Sequence, residues 1–274
     1  MKVNYVDSEK IIEKNKPFVK SLKASTAQSL DHKTVSEDRY TADLFYMAPV
    51  YHQAFTGLEK IIMIDSTDLE FHQDISVLDN QFHQLTDGQL MAIGLDLSPN
   101  YYHQLADYRK LHPDSKLGLA GETQGFNTGV VLYNLEAMRR SALYNSYLTP
   151  RMISQLTTQF MYKITLAEQD WLTNLGYIHP HLFHTLPCIF NRQTSIQFLK
   201  PPWEQIFESF HSCEPKKAVA IFHINGCGPT PQSCKFYPKN MTTEYWRGRS
   251  MYMEDIHIDM ERLWQPIGEV ERRQ

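Results

Sequence analysis

The stretch KIIMIDSTD, Lys60 to Asp68, sets an uninterrupted apolar run against two carboxylates. Ile61 to Ile64 has no polar position, which is the pattern of a strand buried on both faces. The chain turns polar at once through Asp65, Ser66, Thr67 and Asp68. Both carboxylates are therefore expected at the carboxyl end of a strand, where open α/β sheets collect their ligands.

Runs of the same kind lie on either side. Met91 to Leu95 reads as a strand, and so does Gly129 to Leu135, preceded by Gly125-Phe126-Asn127-Thr128-Gly129. Ala218 to Phe222 is a last apolar strand that runs straight into His223. Helical patterns separate them. Thr149-Pro150 has the form of a cap and first position, with Ile153, Leu156, Phe160 and Met161 on one face. Thr165 to Glu168 has the form of a capping box opening a helix that ends near Gly176. Upstream, Lys2 to Asp7 reads as a strand followed by a charged helix from Ser8, and Ser21 to Lys33 as a polar loop. Ser36 is placed to cap a helix with Tyr40, Leu44, Met47, Ala48 and Tyr51 at helical spacing. This alternation predicts an α/β architecture.

Composition narrows the function classes. With 42% hydrophobic and 21% charged residues in 274, the chain has the make-up of a globular domain with ample core. Its 27 Lys+Arg against 31 Asp+Glu form no basic run, so no nucleic-acid partner is implied. The apolar runs are too short to cross a bilayer, and MKVNYVDSEK lacks the apolar core of a signal peptide. Cys188, Cys213, Cys227 and Cys234 are compatible with two disulfides, four buried thiols or, ranked last for want of a tight C-x2-C spacing, a zinc site.

Two carboxylates at one strand end can hold a hard divalent cation whose remaining oxygen ligands come from a diphosphate. A solvated turn rich in Asp, Ser and Thr is the plainer account of Asp65 to Asp68 taken alone. His223, followed by Asn225-Gly226-Cys227-Gly228-Pro229, is one of 12 histidines and gains weight only beside the acids. Gly125 to Gly129 puts an amide and a hydroxyl between two glycines, an arrangement suited to sugar hydroxyls or to an ordinary turn. Asp170, in the first turn of the expected helix, is also what the helix dipole favours.

Taken in order, the segments IIMIDSTDLEFHQDI, GFNTGVVLYNLEAMRRSALY, LAEQDWLTNLGYIHPHLFHTLPCIFNRQ and FHINGCGPTP resemble the retaining glycosyltransferases of family 8, and in particular their xyloside α-1,3-xylosyltransferase branch. The likeness runs to about Lys239. It implies a GT-A-like (Rossmann-like) mixed sheet flanked by helices over residues 1–240, with residues 241–274 an unassigned tail. By resemblance the metal ligands are Asp65, Asp68 and His223, the metal Mn²⁺ and the donor UDP-xylose. Gln169 falls on the position that stabilises the developing charge on the sugar. Asp43, Asn225 and Gly226 fall on the donor side. Phe126, Asn127, Thr128, Asp170, Trp171, Asn191 and Arg192 fall on the acceptor side. The implied acceptor is a xylosyl-glucose glycan on EGF-like repeats of Notch-type proteins, and the implied compartment the endoplasmic reticulum lumen or membrane. A glycosyltransferase remnant that only binds glycan or EGF repeats is the competing reading.

The chain departs from the family pattern at definite places. Two residues rather than one separate Asp65 from Asp68, Ala167-Glu168 stands where the family has Gly-Asp, and one extra residue enters the segment after His223. The family's first βα unit and membrane anchor have no counterpart, which predicts an unpaired sheet edge and an exposed apolar face. The resemblance pairs Cys188 with Cys213. It puts Ser195 where the family has the partner of Cys227, leaving Cys234 as the alternative.

Overall fold

The computed structural model describes residues 7–29, 43–65, 69–162, 166–195, 204–213 and 219–225. Its strands are β1 (Lys60–Ile64), β2 (Leu69–Phe71), β3 (Met91–Leu95), β4 (Phe126–Asn134), β5 (Phe183–Thr185), β6 (Arg192–Gln193) and β7 (Ile221–His223). Its helices are α1 (Ser8–Ser29), α2 (Tyr51–Ala54), α3 (Ile75–Asp79), α4 (Asn100–Gln104), α5 (Ala106–Leu111), α6 (Leu135–Arg140), α7 (Ala142–Ser146), α8 (Pro150–Thr158), α9 (Glu168–Ile178) and α10 (Glu204–Phe210).

The main sheet has the order β1-β4-β3-β5. β4 runs antiparallel to both β1 and β3, and β3 is parallel to β5, so the sheet is mixed. β3 and β4 are buried along nearly their whole length, which explains why they read as continuous apolar runs. β1, expected to be buried on both faces, is only partly covered, with Ile64 36% exposed, because among the described residues it lies at the edge of the sheet. Val131 and Tyr133 point into a cluster with Trp171, Leu172 and Leu175 of α9. Val130 and Leu132, one residue out of phase, enter a second cluster with Phe190 and Ile221. A small sheet, β2-β7-β6, completes that side. Cys188 and Cys213 form the expected disulfide, which ties the turn before β6 to the chain beyond α10.

α9 lies close on β4 because Gly176 has no side chain: a Cβ there would come within 2.3 Å of the Phe126 ring. This close approach brings the start of α9 over Thr128. The turn that feeds α9 differs from the expected capping box. The helix begins at Glu168, and the residue before it, Ala167, has φ 51° and ψ −122° with no side-chain cap. Asp170 instead reaches back and accepts the Leu166 N–H at 2.8 Å. Thr165 lies outside the described residues.

Three other expectations change. The polar stretch after Ser21 continues α1 to Ser29, because Leu22 is buried and the Ser21 and Ser25 hydroxyls bond back to Pro17 O and Ser21 O. The helix expected from Ser36 is broken, near Pro49, into single turns at Asp43–Tyr46, Ala48–Val50 and α2. Leu44 on it is 53% exposed and Met161 beyond α8 is 56% exposed, so neither joins the face assigned to it. The strand from Lys2 to Val6 lies outside the described residues, as do Ser36 and Tyr40.

Among the described residues β1 is paired on one side only. Its other edge meets an open apolar groove of about 460 Å³ lined in succession by Ile61, Ile62 and Met63, and by Ile11, Met47 and Tyr51. Among the described residues, then, β1 has an unpaired edge beside an apolar groove.

Ala167 occupies a conformation that glycine adopts freely and that costs other residues about 1–3 kcal/mol. Ala167→Gly, after the added unfolded-chain entropy, should stabilise the protein by about 1 kcal/mol and raise Tm by about 2–4 °C in a thermal melt.

Candidate functional site

Elements from both sheets meet at the carboxyl end of β1. The Asp65 N–H donates to Gly129 O at 2.9 Å, which extends the β1–β4 pairing by one residue and holds Asp65 against the start of β4. From the small sheet, β7 delivers His223, whose Nε2 lies 3.7 Å from Asp65 Oδ2. The His223 side chain is 3% exposed and that of Asp65 53%, so the pair has one anchored and one open member.

The histidine is held from behind. Its Nδ1 is 2.9 Å from Asn191 Oδ1, and Asn191 Nδ2 donates to Asn127 Oδ1, also at 2.9 Å. Asn127 Oδ1 in turn accepts the Gly129 N–H at 3.0 Å. The ring passes so close to Gly129 that a Cβ there would lie 2.2 Å from His223 Cε1.

α9 supplies the next wall. Gln169 Oε1 accepts the Thr128 N–H at 3.1 Å, and its Nε2 donates to Tyr101 Oη at 3.3 Å. Tyr101 in turn donates to Asp170 Oδ1 at 2.6 Å. Glu168 accepts from Thr128 Oγ1 at 3.4 Å. The Glu168 residue as a whole is half-buried, yet its carboxyl is desolvated. That burial, reinforced by the negative charge of Asp65, pushes its pKa up to about 8. Glu168 is not among the site residues expected from the sequence, where its signals are the capping-box position and its place, beside Gln169, opposite a family Asp.

The residues assigned by resemblance are distributed as follows. Asp65, His223, Asn127, Thr128, Asn191 and Gln169 come together. Asp170 is fully buried and bonded to Tyr101 and Leu166. Trp171 is also fully buried, edge-on to Phe18 and Tyr144 in the main core, so it has no surface to offer an acceptor. Arg192 is 3% exposed and donates to His211 O at 2.8 Å. Phe126 lies beneath α9 against Phe183. Asn225 accepts the Ser195 N–H at 2.8 Å through Oδ1 and so secures the chain just after His223. Asp43 pairs with Lys23 at 2.7 Å, and no described contact links it to Asp65 or His223. Asp68 and Gly226 lie outside the described residues.

A carboxylate and an imidazole 3.7 Å apart are close enough for one cation with bonds of about 2.0–2.2 Å to touch both. The mixed O,N donor set suits a divalent metal ion. Among the described residues no third His, Cys, Asp or Glu completes the group.

The mixed sheet flanked by helices is GT-A-like by its match to a solved glycosyltransferase structure. No family model matches the chain. Human Xyloside xylosyltransferase 1 is 33% identical over 196 residues, covering 70% of this chain and 49% of that protein. The crystal structure of mouse Xyloside xylosyltransferase 1 in its apo form superposes with a TM-score of 0.73 at 30% identity, covering 82% of this chain and 75% of that one. Xylosyl- and glucuronyltransferase LARGE2s of Danio rerio is 32% identical over 140 residues, 51% of this chain and 17% of its own. The chain belongs to the xyloside xylosyltransferase family of glycosyltransferases. It spans about half the length of the curated relatives it matches.

The raised pKa of Glu168 has a pH signature. The folded chain holds this proton more tightly than the unfolded one, so the contribution to stability is complete below about pH 4.5 and is lost as pH rises through about 8. In the metal-free protein, Glu168→Gln should remove that part of the decline. Melting temperatures of the two proteins should diverge in favour of the variant between about pH 5 and pH 9; parallel curves would show that Glu168 titrates normally.

Proposed function

We propose that the chain carries the catalytic site of a retaining xylosyltransferase that uses UDP-xylose and a divalent metal, Mn²⁺. Asp65, Asp68 and His223 are the metal ligands in this reading. The observation that carries it is the convergence of Asp65 and His223 from two different sheets beside Gln169, in a chain that is 33% identical over 196 residues to human Xyloside xylosyltransferase 1. A cation held there would offset the diphosphate's charge as it leaves.

The chain's own residues do the rest. Thr128 and Tyr101 hold Gln169 from both ends of its amide. Its carbonyl oxygen accepts from the N–H and the hydroxyl of Thr128, and in this reading the amide so fixed lies near the positive charge that develops on the sugar and does not reorganise. The bond from the xylose anomeric carbon to the phosphate oxygen breaks as an acceptor hydroxyl attacks from the same face. The hydroxyl proton passes to the leaving phosphate oxygen, and configuration is retained. Glu168 and Thr128 stand next to Gln169, where sugar hydroxyls need partners.

The acceptor in this reading is the xylosyl-glucose glycan of EGF-like repeats on Notch-type proteins, met in the lumen of the endoplasmic reticulum. The Cys188–Cys213 disulfide supports an oxidising compartment. Among the described residues no helix is long and apolar enough to cross a membrane.

UDP with Mn²⁺ should raise Tm well above Mn²⁺ alone, since a ligand present at 100 times its Kd stabilises by about 2.7 kcal/mol. Asp65→Ala and His223→Ala should each abolish that increment. A shift that survives in both variants points to other ligands, and no shift with any UDP-sugar rules out catalysis by this chain.

A further inference from the structure

We propose that the main-chain N–H of Gly129 sets the tautomer of His223 through the side chains of Asn127 and Asn191, and so aims the Nε2 lone pair at the metal position. The inference builds on the proposed metal site but concerns the chain's own hydrogen bonds.

Of the four groups in this relay, the Gly129 N–H is the one whose polarity cannot be exchanged. A backbone N–H only donates, so the atom 3.0 Å from Gly129 N must be the oxygen of the Asn127 amide. An amide oxygen only accepts, so Asn191 must turn its Nδ2 toward it, at 2.9 Å. The other end of the Asn191 amide is then Oδ1, and it faces His223 Nδ1 at 2.9 Å. A carbonyl oxygen accepts, so in the neutral ring Nδ1 carries the hydrogen. Nε2, which faces Asp65 Oδ2 at 3.7 Å, is left with its lone pair.

All three relay residues are buried, at 7% for Asn127, 1% for Asn191 and 2% for His223. Water therefore does not compete freely to reverse an amide, and a flip of either would set two acceptors or two donors face to face. A metal-bound histidine whose second nitrogen is held in this way is fixed in both ring orientation and tautomer. Asn127 and Asn191, assigned by resemblance to the acceptor side, act in this account as positioning residues.

The test is made first on the metal-free protein. Labelled with ¹⁵N-histidine and examined above the ordinary histidine pKa of about 6.5, it should show His223 as the Nδ1–H tautomer in a long-range ¹H–¹⁵N correlation spectrum. The resonance is identified by its loss in His223→Gln. Asn191→Leu should release the ring to the Nε2–H form and weaken Mn²⁺ binding, read by the electron paramagnetic resonance of free Mn²⁺, by about 10–100-fold. Asn127→Asp keeps an oxygen that can accept both N–H groups, so it should retain the Nδ1–H form. An Nε2–H tautomer in the parent protein overturns the relay, as does an Asn191→Leu protein that keeps both the Nδ1–H form and parental affinity. A parent that shows Nδ1–H but binds no Mn²⁺ sinks the proposed metal site and leaves the relay standing.

Discussion

The site depends on the absence of a side chain at position 129. Gly129 O accepts the Asp65 N–H, and its N–H donates to Asn127 Oδ1. The His223 ring occupies the space a Cβ would need, with Cε1 only 2.2 Å from that position. One residue thus fixes the acid, orients the amide behind the histidine and makes room for the histidine itself. Any larger residue displaces the ring or separates β4 from it, whatever its polarity.

The surroundings reinforce this arrangement unequally. Behind the pair, Asn127, Asn191 and Gln169 are buried; Asn191 bonds to Asn127, and Gln169 bonds to Thr128 and Tyr101, which holds each in a single orientation. In front, Asp65 is half-exposed and Glu168 keeps a proton near neutrality. A buried rear with an open front would suit the proposed function, in which the site admits a charged donor and holds its polar groups in place. The cost is visible at Ala167, whose strained backbone turns the chain into α9 so that Glu168 and Gln169 reach Thr128.

Much of this was legible in the amino-acid order, because strands packed into a sheet leave a plain apolar trace. β1 and β3 show as unbroken apolar runs, and Asp65 and His223 stand where such runs stop. The parts that were not legible depend on contacts distant in sequence. The serines after Ser21 look like loop residues until their hydroxyls are seen to bond within the helix. Thr165 to Glu168 has the letters of a capping box, yet the first turn is held by Asp170 and a positive φ at Ala167. Trp171 sits in a matching segment but faces the core, since neighbouring helix positions point in different directions. The link from Asn127 to Asn191 spans 64 residues and becomes visible only when β4 and the turn before β6 are brought together. The unpaired edge of β1 and its apolar groove follow from the topology rather than from any one residue.

The central claim is that Asp65 and His223 share one metal. Crystals grown with Mn²⁺ and UDP, with anomalous data collected at the manganese absorption edge, test it directly. The account predicts one strong anomalous peak within bonding distance of both an Asp65 carboxylate oxygen and His223 Nε2, with the UDP diphosphate on its open side. A peak bonded to other residues, or one that meets His223 through Nδ1, would contradict it.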